Sequence, residues 1–297
     1  MVAKLQARKA ISYPVMVDNG KSIFPPPWAD TPNLKLPETF LAAYDTPDYA
    51  IGTKMKWGLW TLFFCKANGT VDTEWGAYKA KKTNTVVVAP TQATAAAQAL
   101  AYPGETLAAG AAGSYYVTVT IDTHIGVLAT GVLSENELAG GFIVIGNGSA
   151  QHPQMFQIVS HPLLATTGGA LTLKLDQPLA FALTAATTTI ELMESPFYNL
   201  AADGAGGEYV TYLGIPAARA VSGQYFWLIT RGPVWITSNS NTCDSAMDRD
   251  LVWVGNGSIV SANDVTLESG HQKAGVALDM SGSGSSNAPF CYLMGMD

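Results

Sequence analysis

Charge is what this chain has least of. Only 13% of its 297 residues are Asp, Glu, Lys or Arg, against roughly 25% in an ordinary soluble domain. Cysteine is scarce as well: Cys65, Cys243 and Cys291 are the three. That excludes a disulfide-built scaffold, and the odd number leaves a thiol unpaired within the chain. Hydrophobic residues reach 48%, yet no run of about 18 apolar residues is present, so no membrane-spanning helix is expected. The N-terminal stretch has no apolar segment followed by a small-residue cleavage site, and no signal peptide is expected. Clustered basic residues are lacking too. The net charge is −7, and phosphate binding needs grouped Lys and Arg, so nucleic acid is not an expected partner. The small groups Lys4, Arg8, Lys9 and Lys79, Lys81, Lys82 read as solvated faces or contacts with an acidic neighbour.

A chain this poor in charge stays soluble when neighbours cover much of it, or when its surface is Thr, Ser, Asn and Gly. That composition leans toward a protein of an assembly, made and assembled in a reducing cytoplasm. A secreted enzyme from a low-charge lineage is the alternative reading.

What is abundant is strand pattern. Gly223–Ile236 holds the densest aromatic and β-branched surface of the chain. Tyr225, Trp227 and Ile229 alternate with Phe226, Leu228 and Thr230, the period-two pattern of a strand packed on both faces. Arg231-Gly232-Pro233 is read as a break, with Val234–Ile236 returning as the second arm of a hairpin. Further strands are predicted at Ser114–Ile121, Gly126–Leu133, Gly141–Ile145, Met155–Val159, Leu171–Leu175, Thr188–Met193 and Glu208–Leu213. Others follow at Asp250–Val254, Ser258–Ser261, Val276–Met280 and Phe290–Met294. Turn residues at short intervals between them are the mark of a sandwich or barrel. Lys54–Lys66 is a strand segment leading into Asn68-Gly69, a strong hairpin signal, and Thr83–Ala89 is another strand. Thr91–Tyr102, rich in Ala and closed by Pro103-Gly104, is the one helix expected. Ser134–Leu138 is read as a single helical turn.

The fold class is therefore mainly β: barrel or sandwich modules with an extended Pro-rich N-terminal arm and one short helix. The expected organisation is an arm over 1–48, a hairpin and helix over 49–102, a β-domain over 103–200, and a small barrel-like domain over 201–297. Pro14, Pro25, Pro26, Pro27, Pro32, Pro37 and Pro47 deny the arm a ladder of its own. Its Phe24, Trp28, Phe40 and Tyr44 are candidate partner-contact anchors. The segment either lies across a partner subunit or wraps on its own domain.

Chemistry finds little footing. No catalytic, cofactor or metal set is predicted, and no cofactor is expected. His124, His152, His161 and His271 lack the i, i+4 spacing of a zinc helix. Asp244, Asp248 and Asp250 share a loop with Arg249, but without the Gly and bidentate Glu of a calcium loop. Ser160-His161 and Ser269-Gly270-His271 place hydroxyls near imidazoles without triad geometry, and no Gly-x-Ser-x-Gly elbow occurs. Asn68, Asn147 and Asn256 head glycosylation-type triplets, but each is an Asn-Gly pair and reads as a turn. Phe142–Ser149 echoes Leu251–Ser258, the sign either of duplication or of two similar hairpins.

The order of features brings in a resemblance. Tyr49–Thr53 precedes an apolar hairpin and the Ala-rich segment. Glu137–Ile145, Leu171–Ala180, Ser195–Tyr198, Gly214–Ala218, Tyr225–Leu228 and Ala274–Leu278 follow. This series, over residues 49–297, resembles a diffuse group of virion structural proteins of tailed bacteriophages, including capsid decoration (cement) proteins. Phe226 and Ile229 stand where that pattern has a small and a polar residue. The resemblance implies a non-enzymatic shell-stabilising protein whose partners are a major capsid protein and copies of itself, as a dimer or trimer. It implies a place in the virion, with neither nucleic acid nor membrane as partner. Rival readings are a tail or receptor-binding virion protein, a major capsid protein, and a carbohydrate-active enzyme on a β scaffold.

Overall fold

A computed structural model describes residues 16–18, 20–26, 29, 36–73, 76–80, 102–103, 110–121, 133–147, 154–165, 169–183, 188–201, 210–238, 249–254, 257–263, 272–278 and 290–296. The strands in chain order are β1 (Met16–Asp18), β2 (Lys21–Phe24), β3 (Ala43–Tyr44), β4 (Lys54–Trp57), β5 (Trp60–Lys66) and β6 (Ala77–Ala80). Next are β7 (Tyr102–Pro103), β8 (Tyr116–Ile121), β9 (Phe142–Asn147), β10 (Gln154–Ser160), β11 (Gly169–Leu175) and β12 (Thr188–Met193). Last are β13 (Val210–Pro216), β14 (Tyr225–Trp235), β15 (Asp250–Trp253), β16 (Ile259–Ser261), β17 (Lys273–Ala277) and β18 (Phe290–Met294). There is no helix among the described residues.

The strands form two antiparallel sheets. A 12-stranded sheet runs β1-β2-β4-β5-β14-β18-β17-β15-β16, with β3 and β13 also on β14 and β6 on β13. A 6-stranded sheet runs β7-β12-β9-β10-β11-β8. The fold is mainly β, as alternation predicts, but neither sheet closes into a barrel among the described residues. The reason lies in the pairing of β14, which takes β5 along one side and β3, β13 and β18 in succession along the other. The C-terminal strands thus find partners in the N-terminal part of the chain and do not close on one another.

β14 also corrects the expected hairpin. Arg231-Gly232-Pro233 does not turn the chain; it stays in register with Met294, Leu293 and Tyr292 of β18. A bulge between Ile229 and Arg231 takes the extra residue, Thr230. The Thr230 hydroxyl donates to the Met296 carbonyl at 2.6 Å. Gly232 takes φ 121°, a backbone region closed to larger residues. Pro233 is tolerated because its carbonyl accepts the Trp60 indole N–H at 2.7 Å. In a strand the N–H and C=O of one residue point the same way, so the donor that proline lacks would face the end of β5, not β18.

Three cores result. The first is aromatic: Phe64 meets Tyr49 and Trp227, each with ring centroids 5.2 Å away, and Trp253 stacks on Tyr212 at 5.1 Å. The second belongs to the 6-stranded sheet and is mostly aliphatic, built on Val117, Val119, Ile143, Ile145, Leu171 and Leu173. The third lies on the other face of β5 and β14, where Phe226 and Leu228 pack with Phe63, Cys65, Phe197 and Leu200. Phe197 stacks on Phe63 at 4.4 Å, and Lys66 and Asn68 donate backbone N–H to Phe197 and Leu200. The segment after β12 is thereby fastened across β5. Tyr225–Thr230 is packed on both faces, and Phe226 and Ile229 are both buried.

Other expectations meet local corrections. Asn68-Gly69 does not turn β5 back on the next strand. Ala67 bridges Leu200 and Val71 bridges Ala220, while the two-residue hairpin falls at Gly58-Leu59, between paired Trp57 and Trp60. Residues 134–140 form consecutive turns, with Asn136 at φ 60°, where the sequence predicts one helical turn. Thr83–Ala89 lies outside the described residues, as does Thr91–Tyr102 apart from Tyr102, which begins β7. Of Gly126–Leu133 only Leu133 is described, bridging Leu164.

Candidate interaction surface

Beyond its bulge, β14 changes environment. Gly232, Val234 and Ile236 face the aromatic core, while Arg231, Pro233 and Trp235 point to the opposite side, the one on which Phe226 and Leu228 are covered. On that side β14, β18 and β17 carry exposed side chains, whereas Val252 and Val260, on the same side of β15 and β16, are buried. Cross-strand register sets out the open face in rows. Trp235 stands opposite Phe290, and Leu278 donates its N–H to the Phe290 carbonyl at 2.9 Å. Pro233, Tyr292, Val276 and Asp250 form the next row across β14, β18, β17 and β15. Arg231 and Met294 form the third.

This face is apolar at its centre and charged at its margins. Trp235 is 57% exposed, Met294 51%, Leu278 47% and Phe290 44%. Single exposed apolar residues are ordinary on any surface, whereas a contiguous patch on paired strands marks a contact surface. Strands at the centre of a sheet with one apolar face uncovered leave that face to be buried by another layer. At the margins, Arg231 is half-buried and Asp250 is exposed, the latter paired with Lys273 at 3.0 Å.

The three described candidate partner-contact anchors fall elsewhere. Phe40 packs edge-on to Trp57 at 4.8 Å, and Tyr44 lies 5.8 Å from Phe64, so both rings are committed to the aromatic core. Lys21 reinforces this clasp, with Nζ 3.8 Å from the Trp57 ring centroid and donating to the Pro37 carbonyl. Phe24 is half-buried in β2, with Lys54 5.8 Å from its ring. Trp28 lies outside the described residues. In its described part, then, residues 1–48 wrap on their own sheet: β2 pairs with β4, and β3 with β14.

Several buried polar groups have structural partners, whereas Gln154 Nε2 and Trp227 Nε1 are buried without a hydrogen bond. His161 is 3% exposed. Its Nε2 accepts the Leu138 N–H at 2.9 Å, which places the ring proton on Nδ1, donating to the Pro162 carbonyl at 2.8 Å. Burial lowers the His161 pKa, with the Pro162 carbonyl and Glu135 opposing. Glu137 accepts the Ser134 N–H at 2.9 Å, tightening the same turn. Tyr198 accepts a hydrogen bond from Lys66 at 3.0 Å, and burial, with Glu137 and Glu194, raises its pKa. Burial pushes Tyr49 up to about 12 and the Cys65 thiol well above its ordinary value. These shifts favour neutral, hydrogen-bonded side chains rather than activated ones. Among the described residues no group of three His, Cys, Asp or Glu is arranged to hold a metal ion. His124, His152, His271, Asp244, Asp248 and Ser269 lie outside the described residues.

No family model matches this chain, and no curated protein or solved structure does so either.

Proposed function

We propose that this protein is a structural component of a tailed-phage particle, a decoration or cement protein that stabilises the capsid shell without chemistry of its own. The observation that carries the reading is the open apolar face of β14, β18 and β17, on a β body whose buried Glu137 and His161 serve its own turns. A shell-stabilising protein works by buried area and mass action. It needs a rigid body, and surface that gives up water at small cost. Low charge meets the second need, since few charged groups must be desolvated or paired. The partners of this reading are a major capsid protein and neighbouring copies of the chain, and its place is the virion, after assembly in the host cytoplasm.

A receptor-binding role is the second reading, and Trp235 favours it, because an exposed indole on a sheet face can also stack on a sugar ring. Co-sedimentation of purified protein with particles lacking it, followed by particle imaging, separates the two. Saturable binding in regular array over the shell is the outcome expected of a cement protein. Binding confined to the tail, or to isolated host glycans, would overturn the shell reading.

A further inference from the structure

We infer that the open face of β14, β18 and β17 is a contact between two copies of this chain, packed face to face about a two-fold axis. The inference deepens the reading above, since it names the contact between copies, but it does not require a shell.

Three observations select a second copy as the occupant. The first is shape. The face is a row-by-row array across three paired strands, and such a surface is buried most completely by another sheet laid about 10 Å away. The second is continuity. The same side of β14 is already closed at its other end by the chain's own Phe197 and Leu200, so the sheet is built to be covered on this side and the described chain covers only half of it. The third is charge. Arg231 stands at one corner of the array, and Asp250 at the far end of the middle row.

With Arg231 at one margin and Asp250, beside Lys273, at the opposite one, the face complements itself when Arg231 of one copy takes Asp250 of the other in place of Lys273. A two-fold axis lying in the contact plane, beside Tyr292 and between Trp235 and Phe290, lays Trp235 of one copy against Phe290 of the other. The same rotation brings Arg231 to Asp250 of the second copy, twice over, as an isologous contact requires. A basic or an acidic partner would be met by margins of one sign. The exposed pair between Lys273 and Asp250 does not stand in the way, since exposed pairs exchange partners at little cost. Trp and Arg are also the side chains on which contact energy concentrates.

The test uses the full chain in dilute solution, with mass measured by light scattering or sedimentation across a concentration series, and melting curves as a control for folding. The native chain is expected to dimerise. Arg231→Glu sets like charges against Asp250, and Asp250→Arg sets them against Arg231, so each variant alone should dimerise about tenfold or more weakly. Mixing the two should restore dimers. In a mixed pair the introduced carboxylate of one copy meets the introduced guanidinium of the other, and the two native side chains, Arg231 and Asp250, meet across the second contact. Trp235→Arg, at a side chain 57% exposed, should be monomeric and melt as the native chain does at concentrations where it is dissociated. Should a charge variant fail to fold, Trp235→Arg decides the matter alone. A native chain that is monomeric throughout overturns the inference, as does a Trp235→Arg dimer as tight as the native one. So does a folded pair of charge variants that mixing does not rescue. A monomer that still coats particles would remove this contact and leave the shell reading standing, whereas a dimer that ignores particles would do the reverse.

Discussion

The two halves of β14 are similarly apolar in sequence and opposite in environment. Tyr225–Ile229 has core on both faces, and Trp227 and Phe226 are fully buried. Among the described residues Arg231–Trp235 has core on one face only, and Trp235 is more than half exposed. Between them sits one inserted residue, Thr230, held by the carbonyl of Met296. The comparison teaches that hydrophobicity along a strand does not tell core from contact surface. What decides it is which other segment reaches the outer face, and here the segment carrying Phe197 and Leu200 reaches only the first half.

Mutations at equivalent-looking aromatic residues should therefore part company. Trp227→Ala is expected to cost about 3–5 kcal/mol in denaturant melts, because the whole indole is buried among Phe64, Tyr49 and Ile229. Removing the clasp is the next largest effect. A chain beginning at Tyr49 loses β2 and β3 from the sheet and the rings of Phe40 and Tyr44 from its core, and should show a clearly lower melting temperature than the full chain.

Gly275→Ala would press a methyl into the Tyr292 carbonyl oxygen. Some shift of β17 against β18 must follow, at about 1–3 kcal/mol, read by thermal melting. This change strikes the strands beneath the open face without altering any side chain exposed on it, and so separates folding of that region from its surface.

Acid should act away from β14. His161 is neutral in the fold and its pKa is lowered by burial, so the unfolded chain takes up the proton more readily. The stability it contributes is complete above the ordinary histidine value of 6.5. It is lost as pH falls from there through the folded value, since a protonated ring cannot accept the Leu138 N–H. Melting curves of the native chain and His161→Ala should converge as pH falls through that window.

The smallest effects are expected on the open half of β14. Trp235→Ala and Phe290→Ala should each change the stability of the monomer by less than about 1 kcal/mol, the scale of one cross-strand pair.

Much of the fold was legible because alternation is local. Thr188–Met193 and Phe290–Met294 are strands over the bounds their patterns give, and β15 and β16 differ from expectation by a residue at one end. Features decided by distant partners were not. Asn68-Gly69 carries a strong hairpin signal, yet Lys66 and Asn68 are claimed by Phe197 and Leu200, in a segment whose Tyr198 lies 132 positions beyond Lys66. Arg231-Gly232-Pro233 has every mark of a turn, and becomes strand because Trp60 occupies the Pro233 carbonyl and a bulge takes up the slack. The two Gly-Asn-Gly-Ser echoes diverge for the same reason. Gly146 and Asn147 pair with Thr189 and Thr188 as strand, whereas Val254 and Ser258 close a turn between β15 and β16. The open face was hidden most completely. Its residues come from three strands between positions 231 and 294, and only their register shows that Trp235, Phe290 and Leu278 are neighbours.

The most direct test of this division of β14 is hydroxyl-radical footprinting read by mass spectrometry, on dilute protein and again on assembled protein. In dilute protein Trp235, Phe290 and Met294 should be oxidised readily while Trp227, Phe64 and Met55 are protected, and assembly should protect the first set as well. Equal protection of Trp235 and Trp227 in the dilute protein, or oxidation of Trp235, Phe290 and Met294 that assembly leaves unchanged, would contradict the account.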